Sequence, residues 1–321
     1  MISVICPVFN EEHFIKHILD HFISVKPAEK ELILIDGGST DRTTEIIQEY
    51  IDKYSNIILL HNPKRYVPFA LNMAITAAKG DPIIRIDAHT EYADDYYEKI
   101  LEVFETTGAD IAGGGYNLKY KTAFQQNVGS ALSSKWGTGG SEAFDVTIKG
   151  YSDQVAYGAW RKYIFEKTGY FDESLLRNQD DEFHYRAKSA GFKIYRDPAI
   201  KLWYYPRSSL SGLFSQYFQY GDFKPLSLSK STIGIKIRNF FPSALVLYFL
   251  LSPLAVWLTG SYLFLLPVLL YVIITLILSF KTFRNLQETP ESLLIFFTLH
   301  FSYGLGFLKG FSRLFKYYVN D

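Results

Sequence analysis

Asp87 and His89 stand two residues apart in the run Ile83-Ile84-Arg85-Ile86-Asp87-Ala88-His89, which follows the punctuation Gly80-Asp81-Pro82. Isoleucines on both faces mark this run as a buried strand, the fourth of the chain and ending on Asp87. Side chains two apart on an extended chain face the same side, so a carboxylate and an imidazole can share one divalent cation and its phosphates. The plainer alternative is a strand-end Asp that caps the next turn beside a surface His. A second polar strand end, Asp36-Gly37-Gly38-Ser39-Thr40-Asp41, offers a carboxylate to a base or ribose, with glycines that let a ligand come close. Its alternative is a cap and turn before the next helix. A third acidic group, Asp180-Asp181-Glu182, falls at a helix N-terminus, where the dipole alone favours negative charge. Its chemical reading is a general base that removes a proton from an attacking hydroxyl. Glu182 and Arg186, four apart on one helical face, are expected to pair with each other.

These groups need a scaffold that brings separate strand ends to one edge. From residue 2 to about 116 the pattern alternates strand and helix, which predicts an α/β fold with a mostly parallel sheet and helices on both faces. Strands are expected at 2–6, 32–35, 57–60, 83–87 and 110–114, and helices at 11–24, 41–54, 67–78 and 95–106, with Ser39, Thr40 or Asp41 available to cap the second. Open sheets of this kind hold ligands at the carboxyl ends of their strands. The turn after the first strand has no glycine, and no G-x-x-x-x-G-K-[ST] occurs, so the dinucleotide and P-loop cradles are excluded. The single cysteine, Cys6, lies inside the first strand and excludes an internal disulfide and a cysteine zinc cluster. Basic and acidic residues balance at 33 each, so no global field argues for a nucleic-acid partner.

Taken in order, Pro7-Val8-Phe9-Asn10-Glu11, Asp36 to Asp41, Asn62 with Ala70-Leu71-Asn72, and Arg85-Ile86-Asp87-Ala88-His89 resemble the motifs of a family 2 glycosyltransferase of the GT-A fold. The resemblance implies a nucleotide-diphosphate sugar held through Pro7, Val8, Phe9, Glu11, Asp36 and Asp87, with Arg65 near the base or diphosphate. Asp87 and His89, in place of the family's D-x-D, would hold Mg2+ or Mn2+, and the His leaves the choice between them open. Residues 155–161, 169–173 and 178–186 resemble the family's acceptor side. Its Glu-Asp-x-Glu pattern puts Asp180 on the base and Gln179 where a Glu usually stands, with Asp181 as the rival. The loop 136–141, which includes Gly139, is either a connector or a cover over donor or acceptor. Gln216 and Gln219-Tyr220, in an aromatic helix at 213–221, match only part of the Q-x-x-R-W of processive synthases. A helix lying on the membrane surface is the alternative there.

The implied reaction is inverting transfer of a hexose from a UDP-sugar to a membrane-borne, polyprenyl-diphosphate-linked saccharide in exopolysaccharide or cell-surface glycan synthesis. The pattern is most similar to succinoglycan-type glucosyltransferases. A synthase acting on polyprenyl phosphate itself, and a non-catalytic sugar-nucleotide-binding regulator of a membrane assembly, are the alternatives.

The rest of the chain points to lipid. No charge occurs from Asn239 to Phe280, enough for two crossings of ~20 residues hinged near Gly260. Lys224, Lys230, Lys236 and Arg238 precede this run, and Lys281 and Arg284 follow it, so both ends read as cytoplasmic. A third apolar stretch, 292–308, is interrupted by His300 and Gly304-Leu305-Gly306. It either spans or lies at the interface, and His300 reads as packed rather than catalytic. The N-terminus lacks a signal peptide's basic and long apolar regions. The expected arrangement is a cytoplasmic catalytic domain (1–205), amphipathic interface helices (206–238) and a multi-pass membrane domain (239–321) with helices about 240–258, 261–280 and 292–308.

Overall fold

The computed structural model describes residues 1–283 and 289–320, and Arg284 lies outside them. Two compact units form: Met1–Asn117 with Asp145–Tyr204, and Leu118–Phe144 with Tyr205–Asp321. In chain order the elements are β1 (Ile2–Val8), α1 (Ile15–Ser24), β2 (Lys30–Asp36), α2 (Thr43–Ile51), β3 (Ile57–His61), α3 (Val67–Ala77), β4 (Ile83–Arg85), β5 (Glu91–Tyr92), α4 (Tyr96–Thr107), β6 (Ile111–Gly114), β7 (Tyr116–Leu118), α5 (Ala123–Ser133), α6 (Lys135–Thr138), β8 (Gly150–Tyr151), β9 (Ala156–Trp160), α7 (Tyr163–Thr168), α8 (Gln179–Ser189), β10 (Ile194–Arg196), β11 (Leu202–Tyr204), α9 (Leu210–Ser229), α10 (Phe241–Thr259), α11 (Leu266–Phe283) and α12 (Thr289–Asn320).

The first unit is built on an eight-stranded sheet in the order β3-β2-β1-β4-β9-β6-β10-β8, with a small second sheet β5-β11-β7. β1, β2, β3 and β4 run parallel, with Ile5 opposite both Ile33 and Arg85. The expected mostly parallel α/β architecture is therefore present, with β9 reversed between β4 and β6. Alternation along β1 sends Val4, Cys6 and Val8 to a core shared with Ile15, Ile18, Tyr96 and Ile100. Ile5 points the other way, to Leu71, Ile75, Trp160 and Phe183. This period of two is what a sheet covered on both faces requires. Burial pushes the Cys6 thiol up, as befits an inert core thiol.

Several boundaries differ from expectation. β4 stops at Arg85, so Asp87 and His89 occupy the turn beyond it. There the Asp87 N–H donates to the Tyr92 hydroxyl at 2.8 Å. α1 starts at Ile15 rather than residue 11, because the Glu11 and Glu12 N–H groups donate to Thr43 Oγ1 and Asp41 Oδ2 of the next loop. β9, a central strand, was not expected at all. Its sequence Ala-Tyr-Gly-Ala-Trp lacks β-branched residues. Gly80 touches β1 so closely that a Cβ there would lie 2.6 Å from the Ile2 carbonyl carbon.

In the second unit, α5 and α6 gather with the C-terminal helices. Leu132, Leu213, Ile295, Phe296 and Leu299 form one core. The aromatic helix expected at 213–221 extends through Pro225 to Ser229. The third apolar stretch is part of a continuous 32-residue helix. Loop 136–141 begins inside the short helix α6, where the Trp136 indole donates to Thr275 Oγ1 at 3.2 Å. Among the described residues, three helical segments are long and apolar enough to cross a membrane: Phe241–Thr259, Tyr262–Thr282 and Pro290–Val319.

Candidate active site

The parallel register of β1, β2 and β4 puts Val8, Asp36 and Arg85 at one sheet edge, and the loops that follow are tied together there. Asn10, in the left-handed region at φ 55°, donates its N–H to Ser39 Oγ at 2.9 Å and accepts from the Thr40 N–H at 2.8 Å. Asp36 is 5% exposed and accepts from the N–H groups of Gly38 and Ser39, each at 3.0 Å. Its carboxylate therefore shapes its own turn. Just before α2, Asp41 Oδ1 accepts from the N–H of the first helical residue, Thr43, at 3.0 Å. Arg65, at φ 68°, lays its guanidinium 4.1 Å from the centroid of the Phe9 ring. A planar cation stacked on an aromatic ring presents a flat, positively charged ledge. Pro7 and Val8 end β1. Sequence reading named these residues separately, and the fold joins Phe9 to Arg65.

At the end of β4 the central feature is Arg85, which sequence reading passed over. It is buried, and its Nε and Nη2 donate to Asp87 Oδ1 and Oδ2 at 3.0 and 3.2 Å. The guanidinium also lies 5.2 Å from the Tyr157 ring centroid, and its Nη1 is buried without a hydrogen-bond partner. Burial opposes its charge, but Asp87 and Asp180 outweigh that and hold it protonated. The one available sequence signal was an Arg inside a run of isoleucines two residues before an Asp. His89 Nδ1 lies 3.0 Å from Glu11 Oε1, which links the loop after β4 to the loop after β1.

On α8, Asp180 is half-buried and Asp181 Oδ1 accepts from Gln154 Nε2 at 2.6 Å. Burial, with the charge of Asp181 added to it, raises the Asp180 carboxyl above the usual Asp range, and Arg85 offsets part of the rise. A carboxylate so raised accepts a proton more readily than an ordinary Asp. Glu182 is fully committed to structure: Arg186 donates to its Oε1 and Oε2 at 2.8 and 3.1 Å, and also reaches the Tyr170 carbonyl.

Among the described residues, no group of three or more His, Cys, Asp or Glu side chains forms a metal cage. Asp87 and His89 lie beyond β4, engaged by Arg85 and by Glu11 respectively, and carboxylate and imidazole are groups that a divalent cation accepts alongside phosphates and water. In the second unit Gly139 adopts φ 63°, and the neighbouring Gly140 carbonyl accepts from Arg238 Nη1 at 2.7 Å. On α9, Gln216 Nε2 donates to the Tyr220 hydroxyl and Gln219 Nε2 to Ser215 Oγ. His300 is packed as expected: Nδ1 lies 2.8 Å from the Tyr271 hydroxyl and Nε2 2.8 Å from the Trp136 carbonyl.

Comparison with known proteins agrees with this geometry. Residues 3–196 match the family model described as glycosyl transferase family 2. The chain is 33% identical over 244 residues to the succinoglycan biosynthesis protein ExoA of Rhizobium meliloti, covering 75% of this chain and 74% of that protein. It is 32% identical over 323 residues to a Methanococcus voltae protein, covering 96% of each chain. That protein is named dolichyl N-acetyl-alpha-D-glucosaminyl phosphate 3-beta-D-2,3-diacetamido-2,3-dideoxy-beta-D-glucuronosyltransferase. The mannosyltransferase PcManGT of Pyrobaculum calidifontis, solved with GDP-Man and Mn2+, shares the fold with TM-score 0.65 at 16% identity, covering 92% of this chain and 85% of that one. The chain belongs to glycosyl transferase family 2 and is a glycosyltransferase of the GT-A fold.

Proposed function

We propose that this glycosyltransferase transfers a hexose, with inversion, from a UDP-sugar to a membrane-borne saccharide linked to polyprenyl diphosphate. The observation that carries the reading is the buried Arg85 fork on Asp87, at the edge where β1, β2 and β4 end and within electrostatic reach of Asp180. Pro7, Val8, Phe9, Asp36 and Arg65 are assigned to the nucleotide, with the Arg65–Phe9 stack against base or diphosphate and Glu11 holding His89 in place. Asp87 and His89 would hold Mg2+ or Mn2+, which when bound neutralises charge on the departing diphosphate. Arg85 keeps the Asp87 carboxylate in one orientation. Asp180 takes the proton from the acceptor hydroxyl as that oxygen bonds to the anomeric carbon. The bond from the anomeric carbon to the diphosphate breaks on the opposite face, and its electron pair leaves with the nucleotide. One base with no separate nucleophile supports inversion. Asp181 is the rival base, and its bond from Gln154 argues for a positioning role. Gly139, Gln216 and Gln219 are assigned to the acceptor side. The domain assignment is a catalytic domain (1–205) on the cytoplasmic side, interface helices (206–238) and a membrane domain (239–321).

A lipid-linked acceptor is supported by the named substrate of the Methanococcus voltae relative, and a divalent cation by the Mn2+ in the similar mannosyltransferase structure. The test is nucleotide release from a panel of UDP-, GDP- and dTDP-sugars by detergent-solubilised protein with lipid extract, with and without Mn2+ or Mg2+. Metal-dependent release from one UDP-hexose, stimulated by the lipid, is the expected result. Silence across the panel with acceptor lipid present would overturn it in favour of a sugar-nucleotide-binding regulator.

A further inference from the structure

The three apolar helices of the second unit do not meet their surroundings alike. In the most apolar 18-residue windows of α10 and of the segment containing α11, only 17% of residues are buried, whereas half of the α12 window is. Trp257, Leu250, Leu263 and Leu270 stand out from the first two, 79%, 65%, 76% and 54% exposed. Ile295, Phe296 and Leu299 of α12 are instead buried against Val128, Ala131 and Leu132 of α5 and Leu213 of α9.

α9 follows α12 in parallel along most of its length. Leu213 meets Ile295 to Leu299. Further along, Gly221 lies so close to the Tyr303 carbonyl, and Gly306 so close to the Phe218 carbonyl, that neither tolerates a Cβ. Asp222 Oδ2 accepts from Arg313 Nη2 at 2.6 Å and Lys309 Nζ at 3.3 Å, and Lys230 Nζ donates to the Tyr317 hydroxyl at 3.0 Å. A helix locked to its neighbour in this way must share the neighbour's depth. Were α12 to cross the bilayer, α9 would carry Ser215, Gln216, Gln219, Asp222 and Lys224 into it. Charged side chains at membrane depth are costly to insert. α12, at about 48 Å, also exceeds the ~30 Å hydrocarbon slab.

We propose that α12 does not cross the membrane. It lies with α9 as one tight helix pair along the lipid headgroups, and α10 and α11 alone cross, as a single hairpin. The far end of the pair, with Lys309 and Lys316 exposed and Lys230 and Arg313 half-buried around Asp222, faces the phosphates of anionic lipid. This topology stands independently of which sugar or acceptor the enzyme uses.

The test is side-specific cysteine labelling of the full chain in intact and permeabilised cells with a membrane-impermeant maleimide. Fully buried Cys6 makes the parent an unlabelled control. Glu29→Cys marks the first unit, Tyr262→Cys the tip of the hairpin, and Tyr318→Cys the far end of α12; these positions are 88%, 77% and 59% exposed. Glu29→Cys and Tyr318→Cys are expected to label only after permeabilisation, and Tyr262→Cys in intact cells. Tyr318→Cys labelling together with Tyr262→Cys would overturn the proposal, and so would all three sorting to one side. Alkaline phosphatase fusions give the same reading without thiol chemistry. Activity is expected for an insertion at Gly260 and none for a fusion after Asp321, and activity at Asp321 or inactivity at Gly260 overturns the proposal.

Discussion

A buried guanidinium needs acceptors, and the Arg85 side chain forms both of its hydrogen bonds with Asp87 while Nη1 goes without a partner. Removing Asp87 therefore has two consequences that must be separated. Asp87→Ala strands a buried cation, a loss of about 3–5 kcal/mol of stability. Asp87→Asn keeps the shape and one acceptor oxygen, so it is expected to fold while turnover falls roughly a thousandfold, the scale of one ~4 kcal/mol charge interaction made only in the transition state. Thermal unfolding beside nucleotide release distinguishes the two, and near-normal turnover in Asp87→Asn would remove that carboxylate from the chemistry. Asp180 gives the second residue-scale prediction. Its raised carboxyl must be ionised to act, so kcat/KM falls on the acid side with a limb above the ordinary Asp range. Asp181→Asn removes a charge that pushes Asp180 up, so the limb moves to lower pH with most turnover retained. Asp180→Asn is expected to cost roughly 10²–10⁴-fold in rate with donor binding intact. If Asp181→Asn abolishes transfer and Asp180→Asn does not, the roles are exchanged.

At the scale of the element, α8 carries both the acids and, one turn further on, a buried histidine. His184 is 1% exposed against Trp160, and its Nε2 has no hydrogen-bond partner. Burial lowers its pKa to about 4. The unfolded chain takes up this proton near pH 6.5 and the folded chain only near 4, so the stability involved is present above 6.5 and lost as pH falls towards 4. The full effect is about 3 kcal/mol. Melting temperature is expected to drop between pH 7 and pH 4.5, and His184→Phe to flatten that slope; an unchanged slope would refute the assignment. The elements also show what the sequence could reveal. The βα repeats of the first hundred residues were legible because apolar runs alternate with Gly, Pro and Asp punctuation. β9 was not, because Tyr157 sits at φ 56° and the strand exists through its pairing with β4 and β6. Asp87 and His89 stood out by their spacing on an expected strand, but β4 ends before them and they lie beyond it, whereas Arg85 acquired meaning only when the fold brought the distant Asp180 near. Gly304 and Gly306 read as interruptions, yet each marks a close backbone approach within an unbroken helix.

For the whole molecule, balanced charge and bare apolar helices make opposite demands on solvent. With 33 acids and 33 bases the chain has no net field to hold it on an anionic surface. The basic face shared by α9 and α12 acts only within a Debye length, which shrinks to about 3 Å at 1 M salt. Anchoring must then rest on α10 and α11, where each fully buried Leu contributes about 1.5–3 kcal/mol that salt does not screen. Membranes washed with 1 M NaCl are therefore expected to keep the protein in the pellet, and detergent to release it. Leu250→Lys with Leu270→Lys, placed on the exposed apolar faces of the hairpin, brings two charges into hydrocarbon and is expected to move the protein to the soluble or aggregated fraction. If salt alone strips the wild-type chain, the hairpin is not inserted, and its apolar surface must be covered by protein rather than lipid.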